Sequence, residues 1–193
     1  MLAEITHRSR TFRVDLSRPL DLSLPLRDGE HGVRAWYVGP VAMDAVRDGD
    51  KIYEVRHGAP VNFRNVSFNP HGHGTHTESV GHIASEIHPV GGLLKRYFFT
   101  AQVVSVLPET RRAPDGKTDQ VITLEQLRSA VSERPPEALV LRTLPNDTNA
   151  PDHQWSGTNP CYVQSTACAW LRSIGVKHLL LDLPSVDREE DGG

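Results

Sequence analysis

The chain has 193 residues, with 21 Lys+Arg against 24 Asp+Glu for a formal net charge of −3, and 38% of it is hydrophobic. Scattered basic residues in so even a balance leave no electrostatic footprint for nucleic acid, and no apolar stretch approaches the ~18 residues that a membrane span needs. The length suits one domain with a buried core. Met1 to Arg13 lacks both an apolar h-region and a small-residue cleavage site, so a cytoplasmic location is expected.

In chain order, Phe12, Val14 and Leu16 alternate ahead of Pro19, which predicts a short strand followed by an extended, proline-punctuated segment. Residues 27–60 read mostly as loop, with an apolar island at 35–38 and a possible strand from Lys51 to Val55. Val61 to Phe68 alternates with a local break and predicts strand. Tyr97 to Leu107 is rich in β-branched and aromatic residues and predicts a buried strand ending at Pro108. The polar residues 108–119, with Pro114-Asp115-Gly116 as a turn signal, read as loop.

Thr123 and Gln126 form a capping box that opens a short helix, stopped by Pro135-Pro136. Ala138 to Leu144 predicts a second buried strand. Asn159 as N-cap and Pro160 at the first helical position predict a helix through Ile174, closed by Gly175. Val176 to Leu183 predicts a third core strand, and the alternation of strand and helix over 98–183 points to an α/β domain. Cys161 and Cys168 would lie two turns apart in the second helix, ~10.5 Å along its axis, too far for a disulfide.

Histidine is the compositional anomaly. Five of ten (His71, His73, His76, His82 and His88) fall between residues 71 and 88. In an extended segment residues i and i+2 share a face, which would set His76 beside Glu78 and His71 beside His73. Imidazoles with a carboxylate suit a divalent metal such as zinc, manganese or iron(II), and three ligands leave a position open for water. His7, His31, His57, His88, His153 and His178 carry no such grouping. Neither a G-x-S-x-G nucleophile elbow nor a phosphate-binding loop is present in the sequence.

The run His73-Gly74-Thr75-His76-Thr77-Glu78-Ser79-Val80-Gly81-His82 resembles the signature region of the cyclase-like metal-dependent hydrolases, the family of bacterial kynurenine formamidases and isatin hydrolases. Asp15-Leu16-Ser17-Arg18-Pro19-Leu20 is similar to that family's N-terminal strand, Leu141-Arg142-Thr143 to its central strand, and Gly175 to Asp187 to its "PSVD" segment. The resemblance covers residues 12–187. It implies a swivelling β/β/α-type domain with a mixed central sheet and flanking helices. By position it makes His76 and Glu78 metal ligands and His82 the catalytic acid/base, with Trp36 near the substrate pocket.

The family's first ligand position falls on Gly72, a departure. His71, stiffened by Pro70 and followed by glycine, is the preferred substitute, and His73 is the competitor. The family's second-metal His and Glu follow the "PSVD" stretch, whereas this chain stops six residues beyond Asp187. The expectation is therefore a single domain over 1–193, either lacking its C-terminal part, which the ending favours, or a reduced family member with at most one metal, zinc or manganese.

The implied activity is hydrolysis of a carbon–nitrogen amide or a cyclic amide or ester of a small-molecule substrate, without an organic cofactor. The competing expectation is a catalytically silent metal- or ligand-binding member of the same fold. A homodimer or homotetramer is expected in either case.

Overall fold

The computed structural model describes residues 1–146 and 150–190. A hairpin opens the chain, pairing β1 (Leu2–His7) with β2 (Arg10–Asp15) through a turn in which Arg8 and Ser9 are left-handed. β3 (Ala42–Ala45) pairs antiparallel with β6 (Arg64–Ser67), and between them β4 (Arg47–Asp48) pairs with β5 (Lys51–Ile52). The histidine-rich segment contains the single turn α1 (Pro70–His73) and leads to α2 (Val90–Leu93).

The remaining elements form an α/β unit. They are β7 (Ala101–Val106), β8 (Glu109–Arg112), β9 (Thr118–Ile122), α3 (Leu124–Ala130), β10 (Ala138–Thr143), β11 (Tyr162–Val163), α4 (Ser165–Ser173) and β12 (His178–Leu181). β10 pairs parallel with both neighbours in the order β12-β10-β7, so the central sheet is wholly parallel rather than mixed. Mixed pairing occurs in the second sheet, β11-β9-β8.

The core lies on one face of the parallel sheet. Val104, Leu141 and Leu181 form a row in register there, joined by Val106 and Leu139 and covered by Leu127 of α3 and by Ala167 and Leu171 of α4. The Thr123 capping box forms in full and starts α3 where expected. At the far end of the sheet Asp182 accepts hydrogen bonds from the Thr143 backbone N–H at 2.9 Å and from its hydroxyl at 2.9 Å, tying β10 to β12.

Two further sequence expectations are corrected. Residues 109–122, read as loop up to 119, form the antiparallel hairpin β8–β9, with the turn at Pro114-Asp115-Gly116 and Gly116 at φ +84. β8 is an edge strand of Glu, Thr and Arg whose pairing rests on backbone hydrogen bonds, so its composition carried no strand signal. The helix predicted from Asn159 begins instead at Ser165, after β11. Asn159 sits at φ 49, and its side-chain amide donates to the Thr118 carbonyl and to Asp119, which draws the 160–163 backbone onto β9. Gly175, at φ 89, closes the helix as expected.

Cys161 therefore lies outside α4, and both cysteines are free. Burial, reinforced by the Asp182 charge, pushes the Cys161 thiol up to about 12, and Cys168 shifts in the same direction, so neither offers a thiolate at neutral pH. Among the described residues no helix is long and apolar enough to cross a membrane.

Truncating Leu139, which is fully buried, is expected to cost about 3 kcal/mol through lost transfer energy and a residual cavity, read as a shift in the urea midpoint. A second expectation concerns acid. Burial of Asp119 favours its neutral form most strongly, yet hydrogen bonds from Asn159, Arg188 and the Tyr162 hydroxyl outweigh it and hold its pKa below the ordinary value. The stabilisation is fully present above the unfolded pKa of about 3.9 and is lost as pH falls through the lower folded value. The urea midpoint should thus hold steady from neutrality to about pH 5 and drop below about pH 4. Asp119→Asn should shrink that drop.

Candidate metal centre

Asn69 begins the site. Its side-chain oxygen accepts from the His71 and Gly72 backbone N–H groups, and Pro70 occupies the first helical position, so the chain makes one helical turn rather than continuing extended. Residues two apart in a helix differ by about 200° around the axis. His71 and His73 accordingly diverge, and the side-by-side pair expected of an extended segment does not form. His73 turns inward and is buried at 4% exposure. Its Nδ1 accepts from the Asn69 N–H at 2.8 Å and its Nε2 donates to the Gly39 carbonyl at 2.7 Å, which occupies both ring nitrogens.

His71 points the other way. Its Nδ1 lies 2.5 Å from Glu78 Oε1. From Gly74 onward the chain is extended, and there the spacing argument holds: His76 Nε2 lies 3.2 Å from the same carboxylate oxygen. A short 3-10 turn, Val80–His82, is capped by the Ser79 hydroxyl on the Gly81 N–H and brings His82 Nδ1 to 3.7 Å from Glu78 Oε1. Three imidazoles thus meet one oxygen. Ligand atoms of His71, Glu78 and His82 all lie within 4.8 Å of one another.

Burial pulls the Glu78 pKa upward most strongly, but hydrogen bonds from His71 and His76 and the charges of His82 and His71 overcome it and hold the group below the usual carboxylate range. It is a carboxylate at neutral pH, able to accept or ligate but not to donate a proton.

The donor set fits a divalent ion. A tetrahedral metal with bonds of about 2.1 Å sets its ligand atoms about 3.4 Å apart. The 3.2 Å between His76 Nε2 and Glu78 Oε1 is close to that value, and the 2.5 Å His71–Glu78 pair opens to it by rotation of a half-exposed carboxylate. His76 is also prepared for ligation, because its Nδ1 lies 2.8 Å from the Gly74 carbonyl. With a metal bound, a proton held on Nδ1 by that carbonyl would leave the Nε2 lone pair to the ion.

Trp36 and Tyr37 are consecutive left-handed residues, at φ 59 and 56, in a turn beside α1. The Ala35 N–H donates to the Gly72 carbonyl at 3.0 Å, and the Tyr37 N–H donates to the Ser156 hydroxyl at 2.8 Å. Trp36 is 37% exposed on a turn fastened one residue from His71. Gly72 makes that approach possible: a Cβ there would fall 2.7 Å from Val38 Cγ2 and 3.1 Å from the Ala35 carbonyl. The position that matches the family's first ligand therefore has no room for any side chain. Sequence reasoning did not identify Asn69 or the Gly74 carbonyl; the Asn69-Pro70 pair was the available signal for the first, and a backbone carbonyl leaves none.

Gly72→Ala forces α1 away from the Trp36 turn, an overpacking expected to cost about 1–3 kcal/mol. Because His71 moves with α1, divalent-metal affinity should fall at least about tenfold, as read by metal titration with a competing chelator dye; an unchanged affinity would show that His71 does not depend on this contact.

The histidine–glutamate cluster lies inside a longer match. Residues 14–188, more than nine-tenths of the chain, match the family model described as "Putative cyclase". Extending from the N-terminal hairpin through the donor set to the end of the parallel sheet, that match shows that the chain belongs to the cyclase family.

Proposed function

We propose that this chain is a metal-dependent hydrolase of a carbon–nitrogen amide or a cyclic amide or ester, arylformamidase-like in its chemistry. The observation that carries the reading is the convergence of His71, His76 and His82 on Glu78 Oε1. His71, His76 and Glu78 would hold a zinc or manganese ion, and His82 would handle the proton. The family's swivelling β/β/α arrangement belongs to the same reading.

Ring orientation supports this division of labour. His71 and His76 meet edge to face, with planes 76° apart and centroids at 5.3 Å, so their in-plane lone pairs can aim at one point. His71 and His82 are stacked, with planes 30° apart and centroids at 4.5 Å. Stacked rings direct their lone pairs alongside one another, which suits His82 to a role next to the ion better than on it. When bound, the metal supplies Lewis acidity toward the scissile carbonyl and toward water. Glu78 stays ionised and fixes the imidazoles around it. His82, half exposed and in reach of Glu78, takes the proton of the attacking water and returns it to the leaving nitrogen or oxygen. Trp36 would offer an apolar wall to the substrate.

His71→Ala and Glu78→Ala are each expected to abolish stoichiometric metal, measured by elemental analysis of protein purified without chelator. His82→Ala should leave metal content near normal while turnover of aryl formamides and lactams falls by about 10²- to 10⁴-fold. The second reading, a silent metal-binding relative, is favoured by the openness of the site: His71, Glu78 and His82 are each about 40–50% exposed, with the charges meeting bulk water. On that reading metal binds with the same dependence on His71 and Glu78, no substrate turns over, and His82→Ala changes nothing measurable.

A further inference from the structure

His82 rides on a segment that leaves the site and returns to it. From Ser79 to His88 the chain forms a loop whose ends meet: the Ser79 hydroxyl donates to the His88 carbonyl at 2.7 Å and accepts from the Gly81 N–H at 3.1 Å. A serine hydroxyl has one proton to give. That proton closes the loop, while the oxygen caps the turn inside it. Gly81 lies directly against the same far residue, since a Cβ there would fall 2.8 Å from the His88 carbonyl oxygen and 3.0 Å from its backbone nitrogen. The neck of the loop thus closes only around a glycine. His88 precedes Pro89, which confines its backbone to extended conformations and makes the far side of the neck stiff.

Little else restrains the loop. Among the described residues, the backbone hydrogen bonds of 80–87 stay inside it, from His82 to Ser79 and from Ile83 and Ala84 to Val80. Its apolar side chains do not pack in exchange: Val80 is 56%, Ile83 85% and Ile87 91% exposed. With the neck parted, such a segment would regain the backbone freedom that the closed form gives up. Yet His82 has a defined place, 3.7 Å from Glu78 Oε1 and stacked on His71 with centroids at 4.5 Å.

We infer that Ser79 is a positioning residue: its hydroxyl clasps the 79–88 loop at the His88 carbonyl, and the closed loop holds His82 beside Glu78 and His71. The consequence for proton transfer rests on the reading of His82 as the acid/base proposed above. The clasp itself does not depend on that reading. A catalytic group displaced by about 1 Å can lose about 10²-fold in rate, so a hydroxyl that acts only through the loop carries a kinetic signature of its own.

The test uses the full chain with Ser79→Ala, Ser79→Thr and Gly81→Ala, each checked for unchanged circular dichroism. Nuclear Overhauser contacts between the His71 and His82 ring protons report the stack in the unaltered protein. Ser79→Ala should abolish them and lower kcat for amide or lactam hydrolysis by about 10- to 100-fold, with KM and metal content near normal. Ser79→Thr keeps the hydroxyl on a residue that is already extended, and should restore both the contacts and kcat. Gly81→Ala spreads the neck and should lose the contacts although the hydroxyl remains. Ring contacts that persist in Ser79→Ala, that fail to return in Ser79→Thr, or that are absent from the unaltered protein overturn the proposal. So does a loss of metal in Ser79→Ala, which would show that the hydroxyl supports the ligands rather than His82. If the contacts follow the hydroxyl while the unaltered protein turns nothing over, the hydrolase reading fails and the clasp is upheld. Should Ser79→Ala not fold, Gly81→Ala decides by the same contacts.

Discussion

Burial of one face of the parallel sheet under α3 and α4 sets the terms for everything else in this molecule. Ile122, Leu127, Leu139, Leu141 and Leu171 are nearly or fully removed from water in that seam, at roughly 1.5–3 kcal/mol for each large side chain. No comparable apolar cluster supports residues 1–100 among those described. That half is held to the seam and to itself by polar contacts, and two buried carboxylates anchor it: Glu54 takes Arg56 and Arg64, and Glu137 takes Arg96 and receives Arg8 from the hairpin. A third, Asp119, ties the C-terminal part together through Arg188, Asn159 and Tyr162. Buried ion pairs are costly to desolvate and costlier to break on one side only, so such anchors specify arrangement more than they add stability.

A site built in that polar half inherits its character. The histidines are aimed by backbone groups: the Gly74 carbonyl on His76, the Asn69 cap on the turn carrying His71, and the Ser79 hydroxyl on the turn carrying His82. The same segment spends His73 on structure, pinning the turn to Gly39. Neighbouring histidines of one motif thus take opposite fates because a single helical turn, imposed by Asn69 and Pro70, rotates them apart. Gly72, within that turn, converts the place of a missing ligand into a contact surface for the Trp36 loop.

The α/β unit was legible where local chemistry and burial agree. The Thr123 capping box, the apolar run of Ala138 to Leu144 and the glycine stop at Gly175 each carry their signal in a few adjacent residues, and each appears as expected. β8 and the start of α4 were not legible. An edge strand of Glu, Thr and Arg pairs through its backbone, and Asn159 had two uses for its side chain, capping a helix or bridging to Asp119. The choice depends on a carboxylate 40 residues away in the chain, and local sequence does not encode it.

The candidate site divides along the same line. Composition and spacing alone single out the window from His71 to His82, and the extended stretch makes His76 and Glu78 neighbours, because period-two geometry needs no partner beyond the chain itself. Motif resemblance names the family, and the match over residues 14–188 shows it. Which of His71 and His73 faces Glu78, and how His82 is brought back to it across a further turn, were decided only in three dimensions. The inward placement of His73 rests on the Gly39 carbonyl, 34 positions away, and the turn carrying His71 packs against Ala35 and Val38, while His82 is returned by the turn that Ser79 caps. Asn69 and Pro70 impose the turn that separates the two histidines, but which face of that turn is buried is decided by backbone more than 30 positions away, because a carbonyl such as that of Gly39 leaves no mark in the local sequence.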